Sequence, residues 1–124
     1  MKQLSSGFLL EQLIDDITAC KDVAQARQLL SELINFTPNL ERAIECCVIS
    51  HAGQFRKSGE PYAIHPILVA CIVAHMGGDE DMVIAALLHD VVEDTDKSIE
   101  SVREDFGEEV AKLVEGLTKI VAIR

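Results

Sequence analysis

The residues best suited to chemistry stand close together. His89-Asp90 ends a long apolar run, and Glu93-Asp94 follows after two valines. His89 and Glu93 are four apart, as are Asp90 and Asp94, a spacing that puts each pair on one face of a helix. Imidazole and carboxylate together suit a divalent transition ion. Neighbours on a helix diverge by about 100°, so His89 and Asp90 can both reach one ion placed between them. Met82 to Leu88, just before, is apolar on all sides, which predicts a central, buried helix. A charged Asp90 at the end of such a helix is costly without a partner. A metal ion is one such partner, and a helix-end His–Asp hydrogen bond is the structural alternative. Glu93 and Asp94 lie one turn on. Carboxylates beside a metal can take a proton from water or protonate a leaving oxygen; otherwise they form a solvated helix end.

Two upstream segments join this set. His65 precedes Pro66 and opens a second apolar run. A helix start there can aim His65 at the C-terminal end of an antiparallel neighbour, the end that holds His89-Asp90. Arg56-Lys57-Ser58 lies in a loop rich in Gly and Pro. Arg offers a planar fork to phosphate and a flat face to a base, although an exposed flexible loop explains the same residues. His51 borders that loop and is read as a hydrogen-bonding residue at the edge of a site. His75, at the end of an apolar helix, is read as structural.

The elements that must position these residues all carry helical periodicity, with no sustained period-two alternation. The expected fold is therefore all-α. Ser5 or Ser6 can cap a first helix with Leu9, Leu10, Leu13, Ile14 and Ile17 as its stripe. Asp22 to Gln25 reads as a capping box before Val23, Ala26, Leu29, Leu30, Leu33 and Ile34. Thr37-Pro38 is a cap and first-turn pair ahead of Leu40, Ala43, Ile44, Cys47 and Val48, a face that His51 extends. Residues 53–62 read as loop. Pro66 can start the next helix, which Gly77-Gly78 ends. Asp79, Glu80 and Asp81 suit the N-terminus of the one after. Ser98 can cap a short helix that turns Ile99, Val102 and Phe106 inward and stops at Gly107. A last helix from Glu108 carries Val110, Leu113, Val114, Leu117 and Val121 on one side. It reaches Arg124 without a stop signal, as though the chain were cut there.

Bulk properties narrow the function classes. A chain of 124 residues, 48% hydrophobic and 26% charged, is one globular domain at most. The net charge of -10 argues against nucleic-acid or anionic-membrane binding through the whole surface, while leaving room for a local basic pocket at Arg56-Lys57. Cys20, Cys46, Cys47 and Cys71 lack C-x-x-C spacing and read as reduced core thiols in a cytoplasmic protein. Phe8-Leu9-Leu10 is too short for a signal segment, and the apolar run from Ile67 to Ala74 is too short to span a membrane.

Three stretches carry a family resemblance: residues 50–62 (SHAGQFRKSGEPY), Ile64-His65-Pro66, and residues 87–95 (LLHDVVEDT). With Leu113 to Lys119, they resemble the N-terminal hydrolase domain of the Rel/Spo family, within the HD superfamily of metal-dependent phosphohydrolases. The resemblance covers roughly residues 38–119, and the motifs occur in family order. It implies an HD-type helical bundle over residues 1–124, with leading helices in 1–36 and motif-bearing helices in 37–124. It implies one manganese held by His65, His89 and Asp90, proton management by Glu93 and Asp94, and a guanine contact from Arg56 with Lys57 and Ser58 nearby. The implied reaction removes the 3′-pyrophosphate of guanosine tetraphosphate or pentaphosphate in the stringent response. The family's fourth ligand is a later Asp, and no Asp follows Asp105 here. The expectation is therefore an incomplete site of weak or no activity, in a fragment whose parent carries synthetase and regulatory domains. Two other readings stay open: an HD phosphohydrolase of another nucleotide, or a non-catalytic helical module that self-associates into a homo-oligomer.

Overall fold

A computed structural model describes the backbone of residues 6–123 and the side chains of residues 10–117. Among the described residues it is all-helical: α1 (Ser6–Ala19), α2 (Val23–Leu33), α3 (Pro38–Ser50), α4 (Ile64–His75), α5 (Glu80–Asp94), α6 (Ile99–Phe106) and α7 (Glu108–Ile123). Extended pairing is limited to an isolated antiparallel bridge between Phe55 and Pro61 in the loop before α4. None of the described helices is long and apolar enough to cross a membrane.

Local chemistry explains where the helices begin and end. Asp22 caps α2 by accepting from the Gln25 N–H at 2.8 Å, and the Gln25 side chain accepts in turn from the Lys21 N–H at 2.6 Å. The reciprocal bond thus reaches one residue further back than in a standard capping box. Thr37 caps α3 through the Leu40 N–H at 3.1 Å and donates its hydroxyl to Glu80 in the first turn of α5. One side chain thereby sets two helix starts in register. α4 begins at Ile64, two residues ahead of Pro66. Proline is tolerated there because first-turn N–H groups have no intrahelical acceptor. α4 ends in a Schellman motif: Gly77 N–H reaches Ala74 O at 3.1 Å and Gly78 N–H reaches Val73 O at 2.9 Å. Gly77 takes φ +92° to make it.

α5 is the axis of the fold and packs on α3, α4 and α7. Val83 to Leu88 and Val91 are buried, and Leu30, Leu40, Ile67, Val102, Val110 and Val114 close the core around them. Several expected inward residues are not inward. Leu10, Ile14, Met82, Leu113 and Leu117 are all exposed. Each keeps its helical register, but among the described residues no neighbouring element covers that flank; α1, for example, touches only α2 appreciably. The four cysteines are free, with Cys47 and Cys71 in the core. Burial pushes both thiols up to about 12, as for inert core residues. Ser5 and the side chains of Leu9 and Val121 lie outside the described residues.

Candidate metal centre

α4 and α5 run antiparallel, so the first turn of α4 faces the last turns of α5. His65 therefore meets Asp90, with Nε2 and Oδ2 3.9 Å apart. Within α5, His89 Nδ1 lies 3.1 Å from Asp90 Oδ1, and His89 Nε2 lies 2.6 Å from Glu93 Oε2. The last contact is the four-residue pair expected from the spacing. It is close without hydrogen-bond alignment, so the buried Nε2 has no hydrogen-bond partner among the described residues.

Donor atoms of His89, Asp90 and Glu93 all lie within 4.8 Å of one another. Two ligands on opposite sides of one small ion are separated by roughly 4–4.5 Å, so this group fits a single cation after small side-chain rotations. The buried nitrogen left without an aligned hydrogen bond and the mixed imidazole and carboxylate donors point the same way. The tightest group thus includes Glu93, which the sequence reading assigns to proton transfer. His65 stands at its edge, next to Asp90. Burial lowers the pKa of His65, Asp90 raises it, and the Arg56, His89 and His51 charges lower it further. The net effect favours neutral imidazole, the form that binds metal.

The other candidates are less tightly gathered. Asp94 is exposed at the end of α5, near enough for its charge to act on Tyr62. Arg56, Lys57 and Ser58 are exposed on a loop closed by an Arg56 N–H bond to Glu60 O at 2.9 Å. The Ser58 hydroxyl donates to the Glu60 carboxylate at 2.9 Å. The Arg56 charge is felt at both Tyr62 and His65, so this loop borders the cluster. His51 is 2% exposed and caps α3, with Nδ1 2.9 Å from Gln54 Oε1.

Sequence reasoning gave Tyr62 no role, yet its hydroxyl donates to Asp90 Oδ2 at 3.2 Å. Its position three residues before His65 was the available signal. A contact spanning 28 residues has no spacing rule to announce it.

The HD domain family matches residues 43–124. A guanosine-3′,5′-bis(diphosphate) 3′-pyrophosphohydrolase of Aquifex aeolicus is 50% identical over 97 residues, which is 78% of this chain and 14% of that protein. A probable enzyme of the same name from Synechocystis is 61% identical over 70 residues, 56% of this chain and 9% of that protein. The bifunctional (p)ppGpp synthase/hydrolase SpoT of Escherichia coli is 52% identical over 71 residues, 57% of this chain and 10% of its own length. The aligned segment is thus a small part of each of these long proteins. With a match over residues 43–124 that takes in the His65, His89-Asp90 and Glu93-Asp94 positions, the chain belongs to the HD domain family.

Proposed function

We propose that this chain supplies part of a metal-dependent hydrolase centre that removes the 3′-pyrophosphate of guanosine tetraphosphate or pentaphosphate, giving GDP or GTP and pyrophosphate. The observation that carries the metal reading is the His89, Asp90 and Glu93 cluster with His65 beside it. The substrate reading draws on the three relatives described above, whose names give this chemistry. We assign the ion as manganese, the setting as the stringent response, and the compartment as the cytoplasm, where four free thiols persist.

His65, His89 and Asp90 hold the ion in this proposal. When bound, the ion supplies Lewis acidity that polarises a phosphoryl oxygen and acidifies water. Glu93, one turn beyond Asp90, accepts the proton of the attacking water, and that same proton passes by way of Asp94 to the departing oxygen, so both carboxylates end the cycle as they began it. Arg56 lies flat against the guanine, and Lys57 and Ser58 meet phosphate oxygens. The Ser58 hydroxyl first leaves its bond to Glu60.

Calorimetric titration with manganese tests the proposal. One weak site is expected in the parent chain and none in His89→Ala or Asp90→Ala. A pyrophosphate-release assay on guanosine tetraphosphate should show slow, manganese-dependent turnover at most, and none in either variant. Binding unchanged in both variants would place the ion elsewhere and overturn the assignment.

A further inference from the structure

The ring of Tyr62 fills the gap between two imidazoles. Its centroid lies 4.9 Å from that of His51 and 5.8 Å from that of His65. Its hydroxyl donates to Asp90 Oδ2 at 3.2 Å. We infer that Tyr62 is the positioning residue of the Asp90 carboxylate, seated on the buried His51 ring, and that it sets the affinity of the cluster for a divalent cation. The inference rests on the metal reading above and adds a residue to it.

The two Asp90 oxygens face different groups. Oδ1 lies 3.1 Å from His89 Nδ1, while Oδ2 lies 3.9 Å from His65 Nε2. The terminal torsion of an aspartate is broad, so α5 by itself does not fix the plane in which the Asp90 carboxylate lies. A hydrogen bond to Oδ2 from outside the helix does. It comes from a hydroxyl on a well-held support. The Tyr62 N–H donates to Gln54 O at 2.8 Å, and the Gln54 side chain meets His51 Nδ1 at 2.9 Å. Gln54 therefore ties the His51 ring and the Tyr62 backbone into one unit. The Gln54 N–H closes that unit onto His51 O at 3.0 Å. His51 is 2% exposed and anchored at the end of α3, which packs on α5. Asp90 is thus oriented by an element other than its own. Outer hydrogen bonds to metal-ligating groups are worth about 10–100-fold in metal affinity or activity.

The test is a calorimetric manganese titration of the parent chain, Tyr62→Phe and Asp90→Asn, with a metal-free thermal melt and a far-ultraviolet spectrum for each. Phenylalanine keeps the ring between the two histidines and removes only the hydroxyl. Tyr62→Phe should remain as helical as the parent and bind manganese about tenfold more weakly, while Asp90→Asn should not bind. Parent-like affinity in Tyr62→Phe, with Asp90→Asn silent, would overturn this inference and leave the metal reading standing. A loss of affinity that merely follows a loss of helix would also overturn it. Equal binding by all three chains, or by none, would overturn the metal reading and the inference with it.

Discussion

Two side chains at the site offer direct measurements. Glu93 is close enough to His89 to be either a ligand or a base. As the base, it should leave manganese affinity nearly unchanged in Glu93→Gln while turnover falls by about 10²–10⁴-fold; parallel titration and pyrophosphate-release assays read the two quantities. Loss of affinity in step with turnover would make Glu93 a ligand instead. Tyr62 is the chain's single tyrosine, so its phenol can be titrated by absorbance without ambiguity. Burial, then the Asp90 charge and hydrogen bond, then the Asp94 charge, push it up to about 12 against a small opposing effect of Arg56. The unfolded chain gives up this proton near 10. The folded chain therefore binds more protons between the two values, and the stability from this group is complete below pH 10 and lost as pH rises through about 12. In Asp90→Asn the midpoint should fall but stay above 10, because burial is the largest cause. A midpoint near 10 in the parent chain would mean that the hydroxyl faces water rather than Asp90.

Element boundaries were legible in the sequence wherever a side chain or a glycine makes the cap. Asp22, Thr37, Asp79 and Ser98 each accept from the N–H three residues on, as their types predict. The start of α4 was less legible because it has no side-chain cap, and proline marks a first turn without fixing which residue of it. The pairing of His89 with Glu93 was legible, being internal to one helix. The approach of His65 was legible only as a consequence of antiparallel packing. The Tyr62 bond was not legible, because a loop of this length does not dictate which of its residues returns to α5. Gly78 gives the element scale its sharpest test. A Cβ there would meet Val73 Cγ1 at 2.6 Å and Val73 O at 2.9 Å. The side-chain atom can turn aside, but the carbonyl oxygen belongs to the Schellman bond that ends α4. Gly78→Ala should therefore lower stability by roughly 1–3 kcal/mol, read as a shift of the urea midpoint at unchanged slope. An unshifted midpoint would show that the α4–α5 turn relaxes freely.

For the whole molecule, apolar surface and net charge act in opposite directions. A groove lined by Val69, Val73, Met82, Ala85, Leu113 and Leu117 opens beside His89 between α4, α5 and α7, with a volume of about 480 Å³. Helical periodicity foretold the apolar character of this flank but not its exposure. Period reports which face of a helix is apolar, and only the arrangement of neighbours decides whether that face is covered. Contiguous exposed apolar surface favours association, whereas a net charge of -10 on each copy resists it. The two forces respond differently to salt. At about 0.01 M ionic strength the screening length is roughly 30 Å, so copies repel before their grooves meet; at about 0.15 M it is roughly 8 Å, and repulsion fades while apolar attraction remains. Sedimentation equilibrium at fixed protein concentration should therefore show a mass that rises with sodium chloride. Leu113→Glu combined with Leu117→Glu should hold the chain at monomer mass across the series. Both positions are exposed, so the double variant should keep the parent's helical spectrum. A mass that falls as salt increases would identify charge pairing, rather than the groove, as the source of association.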